Sequence, residues 1–218
     1  MASNLKRALF DAADSRISQY GFTLYRLKDQ FERKRDGWMD QFQLFWLNDV
    51  AGYRIQPYAG IRVEIVEQIF HKTSGWNSKH QKYSVSIGGG VGHIIADDNR
   101  KCEFPLKSEA DISPIAHKVA AVFRDFALPY YEKFSSLQAI DAELNNNPTE
   151  RTRNRSDNWL RCSTGIIVAR LVRRPDYNAL AKIYAKIMEQ SDGGFHLKTF
   201  CALLESLKSV EPSINAQL

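Results

Sequence analysis

Glu64, Glu67 and His71 stand at i, i+3 and i+7 in residues 63–72, where Ile65, Ile69 and Phe70 favour a short helix. One face of that helix would then carry two carboxylates and an imidazole, the donor types a divalent metal takes. Helical metal sites draw a matching set from a second helix, and none is legible, so a solvated charged face is expected and no metal or cofactor. The run Gly88, Gly89, Gly90, Val91, Gly92 has the composition of a phosphate loop. Such a loop opens a helix and brings a lysine and a hydroxyl, whereas His93, Ile94 and Ile95 read as strand, so a bulge or a close backbone approach is expected. Glu32, Arg33 and Lys34 echo the acid-x-lysine half of a nuclease site, with Asp29 the nearby candidate for a second metal ligand. A match of that length arises by chance. No serine lies in a nucleophile elbow and no cysteine has a histidine close in sequence, so no catalytic residue is assigned.

Arginine carries the strongest local signal. Residues 151–174 hold Arg151, Arg153, Arg155, Arg161, Arg170, Arg173 and Arg174 against Asp157 alone, a local net of +6, while the rest of the chain sums to −1. The formal net charge of +5 is therefore one patch rather than a basic protein. Arg151, Arg153 and Arg155 alternate in a segment without apolar periodicity, and Arg170, Arg173 and Arg174 share a helix face, so the two groups can converge on one anionic surface. The competing account is a solvated linker followed by charges that complement a helix C-terminus. Within the segment Trp159 is the only ring, fewer than the interleaved aromatics that single-strand binding uses.

The elements that must position these residues belong to a mixed fold. Leu5, Leu9, Ala12, Ala13, Ile17 and Tyr20 recur at helical spacing, with Ser3 to cap the helix and Gly21 to end it. From Phe22 the period becomes two: Asp36 and Gly37 signal a hairpin, and Trp38, Phe42, Leu44 and Trp46 share a strand face. A strand over residues 53–62 follows, with Pro57 marking an edge or a bulge. Further strands are expected at 83–87, 91–96 and 101–106. Ser113 and Pro114 open a helix whose stripe is Ile115, Val119, Val122, Phe123 and Phe126, after which Pro129 restarts the chain. Ser135 with Gln138 forms a capping box for a short helix ending near Leu144. Asn145 to Pro148 break the pattern, and three helices follow near 157–174, 176–190 and 195–209. The expected class is α+β: an antiparallel meander sheet flanked by helices in residues 1–147, then an arginine-rich linker and a small C-terminal helical subdomain in 148–218.

Apolar residues at 44% and charged residues at 25% of 218 support a packed core without staples. Cys102, Cys162 and Cys201 are odd in number and far apart, the pattern of buried structural thiols in a reduced compartment. No apolar run approaches the ~20 residues of a membrane helix, and residues 1–14 carry no secretory core, so a cytoplasmic location is expected.

The phrases RIQPYAGIRVEIVEQIFHKTSG (54–75), KYSVSIG (82–88) and FALPYYEKFSSLQAI (126–140) resemble an uncharacterised bacterial family known as a domain of unknown function, of the 4304 type. The likeness extends over residues 5–144, and the helices from 157 onward resemble the tail found on many members. It implies a helix, a meander and covering helices, and no catalytic residue. Families of this shape stand beside bacterial conflict systems, where small globular proteins neutralise a partner by covering it. The leading expectation is a non-enzymatic, immunity-like or accessory interaction protein that meets an acidic protein partner through Arg151, Arg153, Arg155, Arg161, Arg170, Arg173 and Arg174. A nucleic-acid-associated protein holding phosphate backbone through the same arginines is the second expectation. An enzyme with a cleft assembled from residues distant in sequence is the third. None of them calls for a membrane.

Overall fold

The computed structural model describes residues 2–211, with side chains from residue 4. Its first helix, α1 (Ala2–Ile17), buries Leu9, Phe10, Ala13 and Ile17, the stripe its spacing demands, and Gly21 at φ +81 ends the 3-10 turn that follows. Ser3, the expected cap, has its side chain outside the described residues. The meander then forms as β1 (Thr23–Tyr25), β2 (Gln30–Arg35), β3 (Trp38–Asp49) and β4 (Gly52–Val63), with Asp36 and Gly37 as the turn between β2 and β3. Phe31 opposes Phe42 and Glu32 opposes Gln41. After α2 (Glu64–His71) and the single turn α3 (Ser78–Gln81) come β5 (Ile87–Gly90), α4 (Val91–Ala96) and β6 (Phe104–Leu106). The sheet is open, in the order β1-β2-β3-β4-β5, with β6 also pairing β4 at Tyr53–Ile55. This is an α+β fold whose antiparallel meander is flanked by helices and followed by a C-terminal helical region.

Residues 91–96 are helix, not the expected strand, and the glycines before them explain why. A Cβ on Gly90 would stand 2.2 Å from Asn99 Oδ1, and one on Gly92 would stand 2.6 Å from the Asn99 carbonyl. Close packing against the 98–99 turn therefore overrides the β propensity of Ile94 and Ile95. At Gly88 the close approach is to the sheet itself, 2.6 Å from Ala59 O and Gly60 Cα at φ +156.

The helix α5 (Ile112–Val122) begins after a Ser108–Asp111 capping box rather than at Ser113, and it does not stop before Pro129. A π-helical stretch, Phe123–Ala127, carries it into α6 (Leu128–Lys133). A proline lacks the N–H that an α-helix bonds four residues back, and the wider turn absorbs that loss without breaking the helix. Next, α7 (Leu137–Asn145) is capped by Ser136, whose Oγ accepts from Ala139 N at 3.2 Å, so the cap lies one residue beyond Ser135. The chain ends its described part in α8 (Asn158–Leu171), α9 (Tyr177–Gln190) and α10 (Leu197–Leu207).

By contact the chain groups into two compact units, Met1–Ile61 with Gly88–Glu132, and Arg62–Ile87 with Lys133–Leu218, so a division after residue 147 falls inside the second unit. In the first, α1 lies on α5, and Phe10, Phe22, Phe31, Phe42 and Phe123 form the core, with Tyr131 Oη donating to Gln41 O at 2.7 Å. In the second, α8 is the central helix: α2, α7, α9 and α10 all pack on it, and every residue from Arg161 to Ala169 is buried. A helix covered on all sides needs an apolar or small residue at nearly every position, and Gly165-Ile-Ile-Val-Ala169 supplies them. Cys102 and Cys162 are buried free thiols, pushed by burial up to about 11 and about 12, whereas Cys201 is exposed, contrary to expectation. Among the described residues no helix is long and apolar enough to cross a membrane.

Candidate functional site

Two places in the second unit gather chemically capable side chains. The first is built on α2. Glu67 and His71 do not form the solvated face expected of them; the helix turns them inward together with Val66, Ile69 and Phe70. The carboxylate of Glu67 accepts from Ser86 Oγ at 2.7 Å and from Ser84 Oγ in a short contact. Arg62 Nη1 donates to Ser84 Oγ at 2.9 Å and to Gln81 O at 2.7 Å, while its Nε meets Glu64 Oε2 at 2.9 Å. His71 touches Ser84 Oγ through Nε2 at 2.8 Å and Ser74 Oγ through Nδ1 at 2.9 Å.

The protons can be assigned from donor counting. A serine hydroxyl has one proton, and Ser84 gives its proton either to Glu67 or to Gln81 O at 2.8 Å. His71 Nε2 must then be the donor to Ser84, and Nδ1 accepts from Ser74. The nitrogen facing Ser84 is thus already protonated, so the pair is not a nucleophile with its general base, for which the imidazole would have to accept. Among the described residues no three His, Cys, Asp or Glu side chains gather as metal ligands. The network is a buried polar core in which the single Ser84 proton has two acceptors in reach, Glu67 and Gln81 O.

Burial also lowers the His71 pKa below its ordinary value, an effect that Glu67 opposes without cancelling. A histidine with a depressed folded pKa contributes its full stability above the unfolded value near ~6.5, and part of that is lost as pH falls from there toward the folded value. Urea unfolding between pH 7.5 and 5.5 should therefore show stability falling toward acid by less than about 1.4 kcal/mol per pH unit from this group. His71→Gln should flatten that part of the profile. An unchanged slope would mean that His71 is not held neutral.

The second place is a cleft of about 620 Å³ formed by the end of α8, the turn after it, the start of α9 and the end of α10. Its cationic lining is Arg170, Arg173, Arg174 and Lys208, and its apolar lining includes Pro175, Ala181, Leu204 and Leu207. Arg174 Nη1 reaches Asp141 Oδ2 at 2.7 Å and its Nε reaches Asp176 Oδ1 at 2.7 Å. Burial disfavours the Arg174 guanidinium, but these two carboxylates outweigh it and hold the pKa above the usual value. Arg170 Nε donates to Val210 O at 3.0 Å, tying the end of α10 to α8, and Lys208 pairs with Glu205 at 2.6 Å.

The seven arginines named from sequence are thus only partly assembled. Arg170, Arg173 and Arg174 meet in the cleft, although α8 ends at Leu171, so a turn rather than one helix face brings them together. Arg161 is buried to 1%, donates Nη1 to Pro148 O at 2.9 Å and lies 5.5 Å over the Tyr184 ring. Arg155 is buried too; Arg151 and Arg153 are exposed, and none of these three lines the cleft. The loop that carries them is folded: Thr152 Oγ1 and Asn154 Nδ2 donate to Glu143 Oε1 at 2.5 and 2.6 Å. Burial would raise the Glu143 carboxyl, but these bonds and Lys133 outweigh it and keep the pKa low.

Lys208 escaped the sequence reading because it stands outside residues 151–174 and joins the cleft only through the antiparallel returns of α9 and α10. The nuclease-like triplet dissolves in the first unit. Lys28 and Gln30 hold Glu32, Arg33 pairs with the fully buried Asp40, and Asp29 meets Lys6. Compared with protein-family models, curated proteins and solved structures, the chain matches none of them.

Proposed function

We propose that this chain acts by binding rather than by catalysis, and that it holds an acidic protein partner at the cleft between α8, α9 and α10. The observation that carries the reading is the convergence there of Arg170, Arg173, Arg174 and Lys208 beside the part-exposed Leu204 and Ala181. Such a cleft suits a polypeptide, which offers carboxylates and apolar side chains together, better than a phosphate backbone, which offers charge at regular intervals and no apolar anchor. The likeness of residues 54–75, 82–88 and 126–140 to an uncharacterised bacterial family supplies a setting, an immunity-like or accessory protein of a cytoplasmic conflict system.

The test is the variant Arg170→Gln, Arg173→Gln, Lys208→Gln in the full chain. Far-UV circular dichroism should stay native, because Arg173 and Lys208 are exposed and half-buried Arg170 gives up one hydrogen bond to Val210 O and one ring contact. The protein captured from the native host should be lost, while Arg151→Gln should retain it. A folded triple variant that captures the same protein as wild type would overturn the assignment. Capture of nucleic acid instead, with a steep salt dependence through Arg151 and Arg153, would favour phosphate binding.

A further inference from the structure

We infer that Arg173 is the residue that reads the partner, and that what it reads is a single carboxylate beside an apolar side chain; this rests on the cleft being the binding site. The backbone gives the first reason. Where α8 ends, Arg174 N donates to Ala169 O at 2.9 Å and Arg173 N donates to Arg170 O at 3.2 Å, the paired bonds of a Schellman motif. Arg173 occupies its left-handed position at φ +59, where glycine carries no Cβ penalty. The other described non-glycine residues with positive φ are Asp29, Asp97 and Asp192, a residue type whose short side chain tolerates that region. An arginine has no such local excuse, and strain of this kind persists where a side chain is needed for something else.

The charge pattern gives the second reason. Arg174 is matched by Asp141 and Asp176, Lys208 by Glu205, and Arg170 is engaged by Val210 O and lies 6.0 Å over the Tyr177 ring. Arg173 alone among the four has no side-chain hydrogen bond, ion pair or ring contact to another described residue, and it is exposed on the cleft wall. One free guanidinium fork fits one planar carboxylate bidentately. A phosphate dianion would call for more unmatched charge than this wall offers. Leu204, Ala181 and Pro175 line the same cleft and offer surface to an apolar side chain.

The experiment uses the full chain and a defined probe, an N-acetylated, C-amidated Leu-Glu-Leu tripeptide, titrated into wild type, Arg173→Gly, Arg173→Lys and Arg151→Gln, with Leu-Gln-Leu and inorganic phosphate as comparisons. Leu-Glu-Leu should bind wild type and Arg151→Gln alike, at least about tenfold more weakly to Arg173→Gly, and at an intermediate level to Arg173→Lys, which keeps the charge and loses the fork. Leu-Gln-Leu should bind wild type at least about tenfold more weakly than Leu-Glu-Leu. Removing the strain should raise the melting temperature of Arg173→Gly by about 2–4 °C. Undiminished binding by Arg173→Gly, a lower melting temperature, or phosphate outcompeting the peptide would each overturn the inference. If no peptide binds wild type while the triple variant still loses the native partner, the carboxylate assignment fails and the cleft reading stands.

Discussion

Replacing Glu67 by alanine should cost about 3–5 kcal/mol in urea unfolding, enough to leave the second unit marginal. The carboxylate is 1% exposed and accepts from Ser84 and Ser86. Its loss strands the proton of the buried Ser86 hydroxyl, leaves Ser84 Oγ with Gln81 O as its remaining acceptor, and opens a cavity. Glu67→Gln keeps the volume and one acceptor, so its cost should be smaller, about 1–2 kcal/mol. The pair of variants separates shape from charge. Equal, small losses in both would mean that the network contributes nothing the solvent could not supply.

Gly165→Ala should cost about 2–4 kcal/mol, a large penalty for one methyl group on a helix that would otherwise gain from alanine. An ideal Cβ there stands 2.6 Å from Asn145 Oδ1 and 2.9 Å from Tyr184 Oη. Those atoms cannot retreat cheaply. Tyr184 Oη lies 2.6 Å from Asn145 Oδ1, and Asn145 Nδ2 donates to Gly165 O at 2.9 Å and to Asp141 Oδ1 at 2.6 Å. The same Asp141 receives Arg174, so loosening this joint also frees one cation of the cleft. Urea unfolding of Gly165→Ala checks the cost; stability equal to or above wild type would show that α7 and α9 do not press on α8 here.

The parts of the fold readable from residues alone are those where one local rule acts undisturbed. The α1 stripe, the Asp36–Gly37 hairpin and the α2 helix follow directly from periodicity and turn chemistry. Residues 91–96 read as strand because isoleucine and valine favour it, and only the approach of Asn99 to Gly90 and Gly92 makes them helix. Pro129 reads as a break because a π turn five residues wide leaves no sequence mark. Arginine content identified the right stretch of chain for the cleft but could not separate a buried guanidinium such as Arg161 from a free one such as Arg173. Burial is a property of what packs on α8, and that comes from chain far away. Lys208 had a fainter signal, a cation at the C-cap of a helix whose Phe200, Leu203 and Leu207 repeat at the spacing of a buried stripe.

The most direct test of the central claim is the association kinetics of the captured partner with wild type and with the Arg170→Gln, Arg173→Gln, Lys208→Gln variant at 50 and 200 mM salt. A cleft that meets an acidic polypeptide predicts that wild type associates several-fold more slowly at the higher salt while its dissociation rate changes little, and that the variant binds weakly with no salt dependence left. The same rates for both proteins at both salt concentrations would contradict it.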